Sequence, residues 1–432
     1  MKLSAGQLSF NTPGRKRSSH SFLMPPSLLL GIDLGTSSLK AVVFEPGGQI
    51  PAHAACEYAV ETPRPGWAEQ DPEAWYQAAV SATRQALEKT RLSPSDIAAI
   101  GLSGQMHGLV ALDRQGRPLR PAIIWADQRS QAQVERLYAE IGNDRLGRWT
   151  ANPLATGFML PSWIWLREHE SHTARQTACL LLPKDYLRYR LTGRLGSEPS
   201  DASSTLLFNP ALRCWSAPLL EALHIDAGLL PPLGESAQIA GELIPQAANE
   251  IGLKPGIRVV FGGSDQACQA IGHGVVDPGV VSCTIGTGGQ LLAPTLEPRS
   301  DPQLRLHLFC HACPGRWHLE AAILSAGLSL KWLREAILEG PEYGALADQA
   351  AQAPPGAEGL FFLPHLLGER TPHMDPRARG AFIGLTLRHQ RAHLVRALME
   401  GVVFALRQGL ELMISLGGNA ERLVASGGAT NH

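Results

Sequence analysis

The 432-residue sequence predicts an α/β protein of two related domains, and three observations carry that expectation. The chain is longer than one compact core fills, at roughly 150 residues per domain. Its folded part opens on short apolar runs of β type, separated by glycine turns and followed by helical spacing. The strand-turn-strand unit GIDLGTSSLKAVVF near the start then returns as VVSCTIGTGGQLLAP from Val280 onward, with Thr287 echoing Thr36.

Residues 1–27 hold Lys2, Arg15, Lys16 and Arg17, no acidic residue and no apolar h-region, which predicts a disordered tail. From Ser27, SLLLGIDLGTSSLKAVVFEPGGQI predicts an antiparallel meander around a Gly-Thr-Ser-Ser turn. Asp71-Pro72-Glu73 supplies an Asp N-cap with Pro in first position, and Trp75, Ala79, Ala82 and Ala86 follow at helical spacing. IAAIGLSGQMHGLVALDRQGRPL reads as strand, polar loop and strand, so Gln105, Met106 and His107 fall on a loop at a strand end, where sites gather. Residues 130–250 read as mixed helix and loop. The pattern resets at IRVVFGGSDQACQAIG, a strand entering a Gly-Gly turn and then a helix opened by Asp265. A long helix, HLVRALMEGVVFALRQGLELMISLG, precedes ERLVASGGATNH, a strand reaching a Gly-Gly turn at the last residues. A helix is expected to follow such a turn, so the second domain is expected to be incomplete. The expected division is a tail over 1–27, a first domain over 28–275 and a second over 276–432.

Bulk properties exclude several classes. With 38 Lys and Arg against 39 Asp and Glu, the net charge of −1 gives no field for nucleic acid. No uninterrupted apolar stretch approaches the roughly 18 residues of a membrane span. Seven cysteines, an odd number without framework spacing, point to reduced thiols and a cytoplasmic location. A homodimer is left open.

Phosphoryl transfer needs amides around phosphates, a carboxylate-held metal and a base for the attacking hydroxyl. In GIDLGTSSLK, Gly35 admits a phosphate, Thr36 and Ser37 donate to it, and Asp33 suits the water shell of magnesium. Taken alone the segment reads more readily as a plain hairpin turn; the second copy at Gly286, Thr287 and Gly288 strengthens the phosphate reading. Asp265 is either a helix N-cap or a base at the mouth of a strand. HLFCHACPGRWH lacks a second Cys pair, so zinc is rejected. Trp67, Trp75, Trp163 and Trp165 read mostly as core anchors. Arg377, Arg379, Arg388 and Arg391 read as surface charge, behind a packed Gly-Glu-Arg-Thr-Pro-His loop.

GIDLGTSSLK, GWAEQDPEAW, GLSGQMHG, AIIWADQR, LLPKDYLRYRLTG, GGSDQACQAIG, TIGTGG, FLPHLLGERTPH and GAFIGLTLRHQRAHLVRALMEG together resemble the FGGY carbohydrate kinases from about residue 28 to the end. Within that family they look most like the xylulose kinases. The resemblance implies two actin-like, ribonuclease H-like domains around a cleft, the second incomplete here. It implies sugar held mainly by the first domain, ATP with Mg2+ mainly by the second, and xylulose 5-phosphate as product. It further implies Asp265 as general base and Asp33 as support for the metal and the transferring phosphoryl group. Gln105, Met106, His107 and Trp125 are then sugar contacts, Gly35, Thr36 and Ser37 face the γ-phosphate, Gly286, Thr287 and Gly288 the inner phosphates, and Gly427 and Gly428 the adenosine. The chain departs from the family pattern at Ala126, where Asn is usual, at Ser162, where Lys is common, and in ending at His432. Three readings stand at this point: a xylulose kinase, a kinase of a related ketose or polyol such as ribulose, and a truncated non-catalytic sugar binder.

Overall fold

A computed structural model describes residues 28–89 and 93–431. The tail expected over 1–27 lies outside the described residues, as does His432. The opening run forms β1 (Leu28–Leu34), β2 (Ser38–Phe44) and β3 (Ala52–Glu57), the expected meander. Burial alternates along β1, with Leu28, Leu30, Ile32 and Leu34 inside and Asp33 on the opposite, half-buried face, as the period of two in a strand requires. Helix α1 (Pro72–Glu88) covers the apolar face with Trp75, Tyr76, Ala79, Ala82 and Ala86. Its N-cap is Asp71, whose carboxylate accepts from the Glu73 amide at 2.9 Å. Trp75 is fully buried and donates its indole N–H to Gln70, so burial worth about 2–3 kcal/mol comes without a stranded donor.

β4 (Ile97–Gly104) lies parallel to β1. Residues 130–235 form helices, turns and short strands of two or three residues, among them helix α2 (Pro183–Thr192), packed on β4. The sheet is completed by β5 (Ile239–Glu242), β6 (Arg258–Val260) and the short β7 (Gly263–Ser264), giving the order β5-β6-β4-β1-β2-β3 with β7 also paired to β4. Helix α3 (Asp265–Gly272) follows β7 at once.

The second sheet contains β8 (Gly279–Ile285), β9 (Gly289–Thr295), β10 (His307–Cys310), β11 (Trp317–Ile323) and, after helix α4 (Arg391–Ser415), β12 (Ala420–Ser426). Its order is β10-β11-β9-β8-β12, with β12 parallel to β8 and the other pairs antiparallel. Three neighbouring antiparallel strands with a parallel strand beside the first occur in both sheets, β1-β2-β3 beside β4 and β8-β9-β11 beside β12, so the sequence echo is a structural repeat. The equivalence fixes the register: Leu34 pairs with Leu39 across Gly35–Ser37, and Ile285 pairs with Gly289 across Gly286–Gly288. α4 packs on β9 and β11 as α1 packs on β2 and β3.

The two sheets have their own cores, and a third core lies between them. Met106, Phe158, Trp163 and Leu206 share it with Leu304 and Phe309 from the region of β10. Asn152 ties the halves together by donating to the Leu308 carbonyl at 2.9 Å and accepting from the Leu308 amide at 3.0 Å. Among the described residues no helix is long and apolar enough to cross a membrane.

Candidate active site

The site is built where parallel strands end. β1, β4 and β7 finish side by side, so Asp33 lies across from Ser103 and Gly263 lies on the other flank of Ser103. Strands are about 4.8 Å apart, so only two spacings separate Asp33 from the residue that follows β7. That residue is Asp265. Ser103 donates its hydroxyl to the Asp33 carboxylate at 3.0 Å, fixing one oxygen and leaving the carboxylate otherwise directed by the strand end.

The capping alternative for Asp265 is taken by its neighbour. Ser264 is the N-cap of α3, its hydroxyl accepting from the Ala267 amide at 3.4 Å, while Asp265 is the first helical residue. The Asp265 carboxylate accepts from the Gln266 amide at 2.8 Å. Burial drives its pKa from the ordinary 3.8 up to about 7, and the negative charges of Asp33 and then Glu320 add to the rise. A carboxylate titrating near 7 at a strand end is suited to accept a proton from a hydroxyl.

The loop after β4 divides its residues between two tasks. Gln105 is buried; its amide donates to Gln70 Oε1 at 2.9 Å and to the Gly35 carbonyl at 3.4 Å. Gln70 in turn donates to the Thr36 carbonyl at 2.6 Å, and Tyr58 donates to the Gly35 carbonyl at 2.6 Å. Of Gln105, placed among the sugar contacts by the resemblance, the amide nitrogen braces the Gly35–Ser37 turn, while its buried Oε1 has no hydrogen-bond partner among the described residues. Met106, expected there too, has its side chain in the central core. His107 has φ of +72°, in the left-handed region; its Nδ1 donates to the Ser204 carbonyl at 2.9 Å and its ring stacks at 3.8 Å on Phe158 of that core. Burial lowers its pKa to about 3, so the imidazole is neutral and Nε2 carries an acceptor lone pair. Trp125, about two-fifths exposed, donates its indole N–H to the Thr36 hydroxyl at 2.9 Å. The AIIWADQR segment holds it in place: buried Asp127 accepts from the Ala68 amide and from Arg129, and Arg129 also pairs with Glu69 at 2.7 Å. Ala126 is exposed beside it.

The second turn is tied down by its own carbonyls. Gly327 donates to the Gly286 carbonyl at 2.9 Å, and Ala326 and Leu328 donate to that of Thr287 at 3.1 and 3.0 Å. A Cβ on Gly288 would lie 2.7 Å from the Ile323 carbonyl oxygen, so that position accepts only glycine without movement. Thr287 at the tip is exposed. Gly427, at the end of β12 beside this turn, has φ of +92°, and a Cβ there would sit 2.5 Å from the Ile285 carbonyl oxygen. Gly428 begins a short 3-10 turn ending at Asn431.

Several site-supporting groups went unread in the sequence. Behind β4, Lys184 is fully buried, 2.7 Å from Asp185, 3.6 Å from Asp201 and 3.7 Å from Glu198, with Arg188 3.3 Å from Asp185. Glu198 accepts from Ser200 and Ser236, and Ser200 accepts from the Ser264 amide at 3.0 Å, so this charge cluster sets the backbone before Asp265. Burial pushes the Asp201 carboxyl well above the ordinary range against the pull of Lys184. The available signal was the Lys-Asp pair of LLPKDY inside an apolar frame. On the other sheet, Glu320 is buried within β11, its only signal being a lone carboxylate inside WHLEAAIL; burial raises it to about 7.

The remaining readings resolve individually. Trp75, Trp163 and Trp165 are core, and half-buried Trp67 carries the Arg129 guanidinium 3.6 Å above its ring. HLFCHACPGRWH becomes β10, a turn and the start of β11, in which His307 Nδ1 meets Asn152 Oδ1 at 3.1 Å and His311 Nε2 meets the Val275 carbonyl at 3.1 Å. Arg377, Arg379, Arg388 and Arg391 are exposed. Ser162 is buried with no hydrogen-bond partner for its hydroxyl. As for a metal, the charge of Asp33 raises the cost of ionising Asp265, and hard oxygens of this kind suit a divalent cation that keeps most of its waters. Among the described residues no three His, Cys, Asp or Glu side chains converge into a cage, which such a cation does not need.

Comparison with known proteins accounts for both halves. The N-terminal domain of the FGGY family of carbohydrate kinases matches residues 28–272, and the C-terminal domain of the same family matches residues 281–432. A xylulose kinase of Escherichia coli strain K12 is 40% identical over 402 residues, covering 93% of this chain and 82% of the relative. A crystal structure of a xyloylose kinase from Brucella ovis superposes with a TM-score of 0.87 at 37% identity, covering 94% of this chain and 82% of that one. A gluconate kinase from Lactobacillus acidophilus superposes with a TM-score of 0.88 at 27% identity, covering 93% and 81%. The repeated sheets, the paired glycine turns and the carboxylates at the strand ends are those of a sugar kinase that uses ATP, and the chain belongs to the FGGY family of carbohydrate kinases.

Proposed function

We propose that this kinase transfers the γ-phosphate of ATP to the terminal hydroxyl of D-xylulose, giving D-xylulose 5-phosphate and ADP. The observation that carries the reading is Asp265: a carboxylate raised to about 7, two strand spacings from Asp33. In the proposed step the sugar hydroxyl oxygen forms a bond to the γ-phosphorus, its proton passes to an Asp265 oxygen, and the bond between the γ-phosphorus and the bridging oxygen of ADP breaks. Asp33 would hold Mg2+, which when bound offsets negative charge on the phosphates. His107 offers an acceptor and Trp125 a flat wall to the sugar; Met106 shapes the floor from the core side and Gln105 acts through the turn it braces. Thr36 and Ser37 would face the γ-phosphate, Gly35 letting it approach. Gly286, Thr287 and Gly288 would take the inner phosphates and Gly427 with Gly428 the adenosine side. Closure of the two domains would keep water from the transferring group.

The sugar is assigned from the xylulose kinases among the relatives. The division at residues 275–276 belongs to the same proposal, supported by the change from one sheet to the other between Ser264 and Gly279. So does a cytoplasmic location, supported by seven cysteines that are all free thiols. The gluconate kinase likeness favours one competing substrate class, sugar acids. The deciding experiment supplies the purified chain with Mg-ATP and, separately, D-xylulose, ribulose and gluconate, and follows ADP release. Xylulose should give the highest kcat/KM, with a product that gains one phosphate. No ADP above the sugar-free rate on any of the three, while a full-length xylulose kinase run alongside is active, would sink the reading; a preference for gluconate would replace its substrate.

A further inference from the structure

We infer that Arg370, supported by Glu320, is a sugar-binding and specificity-determining residue contributed by the second domain, so that the sugar site is closed from both sides. The inference rests on the sugar-kinase reading above and adds to it a contact from the opposite wall.

Arg370 sits on a loop that leaves it little freedom. On one side Glu369 accepts from the Arg370 amide at 2.8 Å and from the Leu324 amide at 3.4 Å, and its other oxygen meets His365 at 3.0 Å. On the other, Thr371 exchanges hydrogen bonds with Ala322 of β11 and donates to the Arg305 carbonyl at 2.9 Å. The backbone of Arg370 is thus fastened to β11 from both flanks. Its side chain reaches the first domain: the guanidinium carbon lies 5.9 Å from the centre of the Phe158 ring, the same ring on which His107 stacks at 3.8 Å. The charge of Arg370 acts on His107 and on His307, which lies opposite Glu320 in the β10–β11 register.

What marks this place as a binding site is unused polar capacity. A guanidinium presents five donors, yet among the described residues none from half-buried Arg370 has a hydrogen-bond or ion-pair partner, which leaves them open to solvent and to a ligand. Glu320 is 4% exposed and its Oε2 also lacks a hydrogen-bond partner, with His318 Nε2 at 3.7 Å. Buried polar groups are ordinarily satisfied, and this Glu320 oxygen is not. Here a cation and a carboxylate, both without hydrogen bonds, lie within electrostatic reach of each other and of Asp265 and His107. A polyhydroxylated substrate carries both acceptors and donors at the spacing of neighbouring hydroxyls, which is the chemistry this pair lacks. The groups facing Arg370 are Glu320 and His307 from the sheet, Glu369 from its own loop, and His107 with Phe158 from the first domain.

The test is titration calorimetry of D-xylulose, ribulose and gluconate, and separately of a Mg-ATP analogue, into the full chain and its R370Q, R370K and E320Q variants, with a melting curve for each. Losing donors to the sugar should weaken binding of the preferred sugar roughly ten- to hundred-fold in R370Q. Nucleotide affinity should stay within about threefold, and R370K should restore only part, because an ammonium lacks the planar fork. E320Q should weaken the preferred sugar and change the order of preference among the three. A folded R370Q that binds sugar as tightly as the parent overturns the inference, as does an equal loss of nucleotide and sugar affinity. Should R370Q fail to fold, the intact charge of R370K carries the decision, with unchanged sugar affinity and ranking counting against the proposal. A parent chain that binds none of the sugars overturns the sugar-kinase reading, and this inference with it; a parent that binds sugar equally to folded variants overturns this inference alone.

Discussion

A base whose pKa lies near 7 should write that value into the pH profile. In its proposed role as base Asp265 must be ionised to take the hydroxyl proton, so kcat/KM for the sugar should rise with pH and level off above about 7. One unit below that value roughly a tenth of the carboxyl groups are ionised, so the rate at pH 6 should be about a tenth of the plateau. The structure also says what sets the position of the limb: burial first, then the charge of Asp33. Asp33→Asn removes that charge, and the limb should move to lower pH by on the order of one unit, whatever happens to the height of the plateau. Stability must move in the opposite sense. A carboxyl raised in the folded chain from 3.8 to about 7 makes the protonated fold the favoured one, so its contribution is complete below the unfolded value and lost as pH rises through about 7. At 1.36 kcal/mol per unit the ceiling on that loss is about 4 kcal/mol, and the residue's half-buried rather than fully enclosed position lowers it. Asp265→Asn should therefore lose about two to four orders of magnitude in kcat while melting higher than the parent at pH 8, the difference closing near pH 4. Initial rates from pH 5.5 to 9 and melting curves over pH 4 to 8 test both. A rate that is flat between pH 6 and 8, together with an Asp265→Asn chain no more stable than the parent at pH 8, would refute the reasoning.

Two further substitutions probe the supports of the site. Lys184→Met leaves Asp185, Glu198 and Asp201 buried with Arg188 as the remaining cation, and should destabilise the first domain by about 3–5 kcal/mol, read as a lower denaturation midpoint. An unchanged midpoint would mean that the cluster is not held as described. Gln105→Met removes the amide that braces the Gly35–Ser37 turn and should cost about 1–3 kcal/mol of stability and weaken Mg-ATP, with sugar affinity in calorimetry unchanged. If sugar affinity falls instead, Gln105 faces the sugar and the bracing role is secondary.

The elements that the sequence made legible are those specified by local rules. The Asp71-Pro72 cap, the alternation of Leu28 to Leu34 and the paired glycine turns each encode their own geometry within a few residues, and all occur where expected. The duplication was visible for the same reason, since a turn that only small residues can make leaves a mark in the sequence wherever it recurs. What stayed hidden depends on contacts between distant segments. Gln70 and Gln105 stand 35 positions apart and are interpretable only once both are found under one turn. Ser264 outranks Asp265 as cap by a single position, within the margin that hydrogen-bond geometry alone decides. Arg370 lies in a run read as a packed loop, which it is for Glu369 and Thr371, whereas its own side chain leaves that loop for the facing domain.

The repeat also shows how one fold unit was put to two uses. Register makes Thr284 the counterpart of Asp33, each two positions ahead of its glycine turn. Asp33 brings a negative charge to the end of its strand, raising Asp265 beside it. Thr284 brings none; its hydroxyl lies 3.0 Å from those of Ser426 and from Gln269 Oε1. A polyanion approaching both turns therefore meets repulsion at the first copy and backbone amides without a carboxylate at the second. On the proposed reading the arrangement favours the inner phosphates over the second turn and leaves the acidic first turn to the one phosphoryl group that would be shared with a metal and a base. Charge placed at one position of a duplicated hairpin is enough to separate the donor end of the cleft from the acceptor end, and Thr284→Asp, by restoring symmetry, should weaken Mg-ATP while leaving sugar binding in place.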